Sequence, residues 1–292
     1  MVLNLTKGTI FMFATGLGIV GNIFVLMKYI CLFRNAVKSV ELILIHLAIT
    51  NIITLLTKGM IRMISRFVLI NLMDDVGCKI LIYLNRVAQG LSISATSLLT
   101  VVQAITISPR TSRWKRLQSR SAWNILPLLF FFWILNSLIS MNLPFYIKHV
   151  NSLKTSNISK NNDYCYFESE NRIIRWIFIV LMVLRDAVFQ GVMGWASGYM
   201  VFLLHKHHQH VLYLQTSKLL YRTPPEMKAA QSVLLMLCFL FFYWTDCFTS
   251  LYLTLSLGTN SITNGLHEFL TIGYAIVSPF LQIHKEGHFT TC

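Results

Sequence analysis

The stretch VVQAITISPRTSRWKRLQSR, residues 101–120, closes a long apolar run at Ser108-Pro109 and follows it with Arg110, Arg113, Lys115, Arg116 and Arg120. No carboxylate balances these five bases. In a soluble protein this would be a core helix ending in a solvated loop. Composition argues otherwise. The 292-residue chain is 55% apolar and 12% charged, with a mean hydropathy of +0.60, whereas a soluble domain carries about 25% charged residues. A formal net charge of +14 would point a soluble protein toward nucleic acid. Here the bases are spaced between apolar runs instead of gathered on a polar domain. That is a membrane pattern, and it speaks against nucleic acid as a partner.

A helix crossing the hydrocarbon needs about 20 mostly apolar residues. Runs of that kind lie at 9–33, 40–64, 79–107, 123–147, 173–204, 229–256 and 262–283. The first is too long for a cleavable signal and reads as an uncleaved span. No internal repeat, low-complexity segment or linker interrupts the chain, so the expectation is one domain over 1–292. The fold class is all-α: a seven-helix membrane bundle.

An odd number of spans puts the termini on opposite sides, and loop charge orients them. With the N-terminus outside, the cytoplasmic segments hold Arg34, Lys38, the five bases of the opening stretch, Lys206, Lys218, Arg222, Lys228 and Lys285, which is twelve. The outer segments hold Lys7, Arg66, Lys148, Lys154, Lys160 and Arg172, which is six. Short basic loops stay cytoplasmic, so the N-terminus is expected outside and the C-terminus inside. The basic loop then holds topology and meets anionic lipid. The Asn-x-Ser/Thr acceptors at Asn4 and Asn157 both fall in outer segments, as glycosylation requires. Cys78 and Cys165 also fall outside, in an oxidising compartment, and are expected to be bonded. Cys31, Cys238 and Cys247 sit in apolar runs and read as small buried hydrophobes.

Charges inside a span cost ~2.5–3.5 kcal/mol each and face a bundle interior or watery cavity. Lys58, Arg62, Arg86, Arg175, Arg185, Asp186, Asp246 and Glu268 all map to the outer half. Lys28, Glu41 and His46 alone map to the inner half. The asymmetry predicts a polar cavity open to the outside, with Lys58, Arg86, Arg185, Asp186, Asp246 and Glu268 as candidate ligand contacts. Arg62 and Arg175 lie near the interface and read as snorkelling side chains. Arg185 and Asp186 are adjacent, about 100° apart on a helix, and are expected to seek partners on other helices rather than each other. Structural ion pairing competes with ligand contact for each of these residues.

Catalytic signatures are missing: no His-Glu-x-x-His, Gly-x-Ser-x-Gly, phosphate-cradling glycine loop or Cys-x-x-Cys occurs. No enzyme, cofactor or metal is expected. The cluster HKHHQH, 205–210, reads as a charged helix end rather than a metal site.

At the level of motifs the chain resembles vomeronasal type-1 receptors. GNIFVL (21–26) resembles their first span, HLAITN (46–51) the second and SLLTVVQAITISPR (97–110) the inner end of the third. HKHHQHVLYLQ and TPPEMKAAQSVLLMLCFLFFYWTDC, within 205–247, resemble the third inner loop and sixth span, and YAIVSPF (274–280) the seventh. The chain lacks the Asp-Arg-Tyr and Asn-Pro-x-x-Tyr motifs of rhodopsin-like receptors, and its tail departs from the family at Gln282-Ile283-His284 and GHFTTC. Bitter-taste receptors are the nearest confusable group, but they generally lack the span 3 to outer-loop disulfide. The resemblance implies a G-protein-coupled chemosensory receptor of the plasma membrane, taking pheromones or related small organic ligands. It implies an inhibitory-type heterotrimeric G protein at Arg110, Arg113, Lys115, Arg116, Arg120, Lys218, Arg222 and Lys228. A transporter or channel subunit using the buried charges as a relay is the alternative from another class.

Overall fold

The computed structural model describes residues 2–32, 39–67, 75–108, 125–141, 144, 147–149, 165–167, 172–214, 241, 244 and 272–280. Five long helices dominate them: α1 (Val2–Leu32), α2 (Ser39–Phe67), α3 (Asp75–Ile107), α4 (Leu126–Ser140) and α5 (Arg172–Leu214). Residues 241, 244 and 272–280 are helical as well; the remainder of the expected sixth and seventh spans lies outside the described residues.

Helical periodicity sorts each helix into two faces. On α1, Phe11, Thr15, Asn22, Val25 and Tyr29 are buried, while Ile10, Phe13, Leu17, Val20, Phe24 and Met27 are exposed at alternating steps of three and four. Both faces are largely apolar. A face that exposes Phe13 at 76%, and on α5 Trp195 at 79%, is stable only against hydrocarbon. Among the described residues, four segments, Gly8–Cys31, Ser39–Met63, Val76–Ile107 and Val180–Lys206, are long and apolar enough to cross a membrane. The outward stripe of α1 ends near Cys31, which is an exposed free thiol. That corrects its reading as a buried hydrophobe: an apolar run does not say which of its residues turn inward.

Within the fourth run, 123–147, the described helix is Leu126–Ser140. Pro127 occupies its first turn, where a missing N–H is harmless. Beyond Met141 the chain reaches Pro144 and then strand β1 (Ile147–His149). β1 pairs antiparallel with β2 (Cys165–Phe167), Ile147 opposite Phe167 and His149 opposite Cys165. The bundle is therefore helical as expected, with one two-stranded hairpin between α4 and α5. The fifth helix runs ten residues past its expected end at 204, so HKHHQH is helical, as its reading as a helix end requires.

Helix α3 is the centre: α2, α4, α5 and β1 all pack on it, and α1 packs on α2. Beside Val87, Leu91, Ile93 and Leu99, many of its buried residues are small, Gly90, Ser92, Ser94, Ala95, Thr96, Ser97 and Thr100, which lets backbones approach closely without a hydrophobic driving force between helices. Three of the hydroxyls return to their own helix: Ser94 donates to Gly90 O at 3.0 Å, Thr96 to Ser92 O at 2.7 Å and Thr100 to Thr96 O at 2.8 Å. In hydrocarbon no water is present to take those protons. The same solution ends the helix that opened the sequence, where Ser108 donates from both N and Oγ to Ala104 O, ahead of Pro109.

A chain of amides and hydroxyls joins four helices. Asn22 on α1 donates to Gly18 O and to Ala275 O, both at 2.8 Å. Asn51 on α2 donates to Asn22 Oδ1 at 3.2 Å and to Ser278 Oγ at 2.9 Å. Ser92 on α3 donates to Asn51 Oδ1 at 3.2 Å. Close approach is essential here, because a methyl at Gly18 would lie 2.9 Å from Ile276 Cγ1 and 3.0 Å from Leu55 Cδ1. Asn51→Leu strands three buried partners at once. With each unmet group costing ~1–3 kcal/mol, the detergent-solubilised protein should melt several degrees lower; an unchanged melting temperature would remove the network from the stability of the bundle.

Candidate functional site

The expected ligand residues come from three helices. Lys58 and Arg86 are half-buried, and each makes interactions of its own. Their chain neighbours Thr57 and Asn85 are hydrogen-bonded at 3.4 Å between α2 and α3, which sets the two cations at one level of the bundle. One turn along α3 from Arg86 is Gly90, and there Arg185 arrives from α5. Arg185 is 7% exposed. Asp246 and Glu268 lie outside the described residues, as do Arg110, Arg113, Lys115, Arg116, Arg120, Lys218, Arg222, Lys228 and Asn157. Asn4 lies in α1, ahead of its apolar part.

Arg185 and Asp186 pair with each other, which corrects the expectation that neighbours 100° apart must look elsewhere. Arg185 Nε donates to Asp186 Oδ1 at 2.8 Å, and Nη2 lies 2.8 Å from the same oxygen. The three-methylene stem lets the guanidinium fold back and present one edge to its neighbour, a reach that a helical-wheel angle does not measure. The remaining arm, Nη1, donates to Asn136 Oδ1 on α4 at 3.3 Å, while Asn136 Nδ2 donates to Phe132 O at 2.8 Å. The cation thus binds α4 and α5 together across α3. Gly90 provides the opening, since a Cβ there would overlap both Asn136 Oδ1 and the guanidinium.

Arg62 sits with its guanidinium 5.5 Å from the centroid of the buried Phe11 ring, a cation–π contact between α1 and α2. The side chain of Arg175 is outside the described set. Cys78, fully buried where α3 begins, is disulfide-bonded, and hairpin strand β1 packs on the same helix. Toward the far end of the bundle Thr96 Oγ1 and Tyr274 Oη are 2.7 Å apart, and Ser108 Oγ lies 3.3 Å from Tyr199 Oη. His46 stacks edge-on against Trp133, ring centroids 6.0 Å apart. Among the described residues no group of three His, Cys, Asp or Glu side chains is placed to hold a metal.

Sequence reasoning about charge missed Asn22, Asn51, Ser92, Asn136 and Ser278, because neutral polar residues cost too little in a span to stand out. A signal existed: Asn22, Asn51 and Ser278 lie within GNIFVL, HLAITN and YAIVSPF, the motifs that carry the resemblance in the first, second and seventh spans.

Helices with apolar outward stripes, joined by buried polar contacts, with a two-stranded hairpin packed on α3, describe a helical membrane protein. The chain is matched over residues 5–292 by the vomeronasal organ pheromone receptor family, and it belongs to that family of G-protein-coupled receptors, which are not enzymes. It is 34% identical to vomeronasal type-1 receptor 3 of Homo sapiens over 92% of this chain and 87% of that receptor. Vomeronasal type-1 receptor 4 of Homo sapiens is 30% identical over 91% of this chain and 90% of the relative. A Danio rerio protein, olfactory receptor class A-like protein 1, is 30% identical over 96% and 89%.

Gly90→Ala should break the Arg185–Asn136 bond by sterics alone and lower the melting temperature, an effect of ~1–3 kcal/mol; equal melting of variant and parent would show that the cluster can step aside. Arg185→Met and Asp186→Leu should each destabilise by more than the double variant does. Removing one partner strands a buried charge, whereas removing both strands none. Additive losses in a thermal double-mutant cycle would contradict that account.

Proposed function

We propose that the chain is a plasma-membrane chemosensory receptor with seven spans at 9–33, 40–64, 79–107, 123–147, 173–204, 229–256 and 262–283. Its N-terminus is outside and its C-terminus cytoplasmic. Family membership across 5–292 is the observation that carries the reading, and the two-to-one excess of Lys and Arg in the segments it makes cytoplasmic supports the orientation. The disulfide of Cys78 is with Cys165, which strand β2 brings into the hairpin that packs on α3. Asn4 and Asn157 are the glycosylation acceptors of the outer face.

The ligand is a pheromone or related small organic molecule, held in the outer half among α2, α3, α5 and the sixth and seventh spans. Arg185 and Asp186 stand in the wall of that half, with Lys58, Arg86, Asp246 and Glu268 around it. A ligand shifts the bundle between two states only through better binding to one of them. The output is an opened cytoplasmic face at Arg110, Arg113, Lys115, Arg116, Arg120, Lys218, Arg222 and Lys228, taken by an inhibitory-type heterotrimeric G protein.

The test is GTP exchange on a co-expressed inhibitory-type G protein in cells expressing the chain, against a panel of steroids and volatiles. An N-terminal tag stained without permeabilisation reports orientation in the same cells. Staining together with ligand-dependent exchange is expected, with the response altered by Asp246→Asn or Arg185→Gln at equal surface level. Transported substrate or current without exchange would overturn the receptor reading, and staining only after permeabilisation would overturn the topology.

A further inference from the structure

Two polar groups on α5 are left unused by the contacts that hold the bundle. Arg185 and Phe189, one turn apart, face α4: Arg185 reaches Asn136, and Phe189 stacks edge-on to Phe132 with centroids 5.4 Å apart. Roughly a quarter-turn round the helix, Asp186, Gln190, Met193 and Ser197 form a second inward stripe at steps of four, three and four. Gln190 is 3% exposed, and Met193 and Ser197 are fully buried. Gln190 Nε2 and Ser197 Oγ have no hydrogen-bond partner among the described residues. A serine hydroxyl can turn to its own helix carbonyl at small cost. The Gln190 amide does not take the bond to its own helix that Asn136 and Asn22 take, and a buried amide donor left unpaired is uncommon and unfavourable.

The stripe has a direction. Asp186, a turn nearer the hairpin, keeps 18% side-chain exposure, so the row runs from an accessible acid inward to a sealed amide. Asp186 is already committed to Arg185, and Arg185 to Asp186 and Asn136. The charges at this point are therefore spent on each other. What remains for an incoming molecule is a neutral donor flanked by a thioether.

We propose that the Gln190 amide is the hydrogen-bond donor to the ligand, and that the ligand class is neutral: an apolar skeleton bearing a carbonyl or ether oxygen, packed on Met193. This rests on the receptor reading and adds to it the chemistry the site selects. A skeleton without the oxygen leaves the amide unpaired in the bound state and is rejected for that reason, much as polar sites reject analogues that lack a hydroxyl.

The experiment uses the full chain in detergent and a panel of neutral monoketones from one to four rings, each beside its matched hydrocarbon. At least one ketone should raise the melting temperature well above the effect of its hydrocarbon. Gln190→Leu should abolish that difference and weaken ketone binding tenfold or more, with hydrocarbon binding unchanged. Gln190→Met, close in volume, is the second variant should leucine fold poorly. Ligand-free, the apolar variants should melt no lower than the parent, because they remove an unpaired donor. A panel in which no ketone exceeds its hydrocarbon, or variants that keep the ketone shift, overturns the proposal. The expected shifts without ligand-dependent GTP exchange by the parent would uphold the Gln190 site and overturn the receptor reading instead.

Discussion

An amide buried among helices in hydrocarbon must take its partners from other helices, since no water will supply them, and Asn51 takes three. Its Nδ2 donates to Asn22 and Ser278, and its Oδ1 accepts from Ser92. Through that one side chain α2 is tied to α1, to α3 and to the helix of 272–280. Apolar packing could not do this alone, because lipid tails offer each helix surface as good a contact as another helix does. The small residues of α3 and the glycine at 18 follow from the same need, since hydrogen bonds near 3 Å between helices require backbones to come close.

The other half of the bundle solves a harder problem with a charge. A guanidinium in a span is costly unless every arm is met, and Arg185 meets the requirement by folding back on Asp186 and reaching over Gly90 to Asn136. Removing water makes the attraction strong and makes any loss of one partner expensive. Neutral amides therefore hold the part of the bundle where four helices meet. The ion pair holds the α3–α4–α5 side, where Asp186 still has some exposure.

Much of the helical architecture was legible from runs of apolar residues, because the thickness of hydrocarbon sets a length that composition reveals at once. The end of α3 at Ser108-Pro109 was equally plain. Less visible was anything decided by side-chain reach or by which way a helix turns. Cys31 was read as buried and faces outward; Arg185 and Asp186 were read as strangers and are a pair. The pairing of 147–149 with 165–167 is a contact too distant along the chain for periodicity to detect. Of the polar residues buried along α4 and α5, charge mapping singled out Arg185 and Asp186 but passed over Asn136 and Gln190, whose neutral amides raise no alarm in a hydropathy profile.

Helix α5 touches α3 at two widely separated levels, at Gly90 through Arg185 and at Ser108 through Tyr199. The fourteen helical steps from Arg185 to Tyr199 span ~21 Å, and Gln190 lies between the two contacts. A swing from one state to the other, from 1:99 to 99:1, needs ~5.5 kcal/mol of differential affinity. Tight binding alone contributes nothing to that difference if both states bind equally well. A hydrogen bond from the Gln190 amide would contribute to that difference only if the amide reached the ligand oxygen in one state and not in the other. Its position on the same rod that carries Tyr199 means that any shift of α5 made to admit the oxygen is felt at Ser108, beside the basic stretch where the chain leaves the helix.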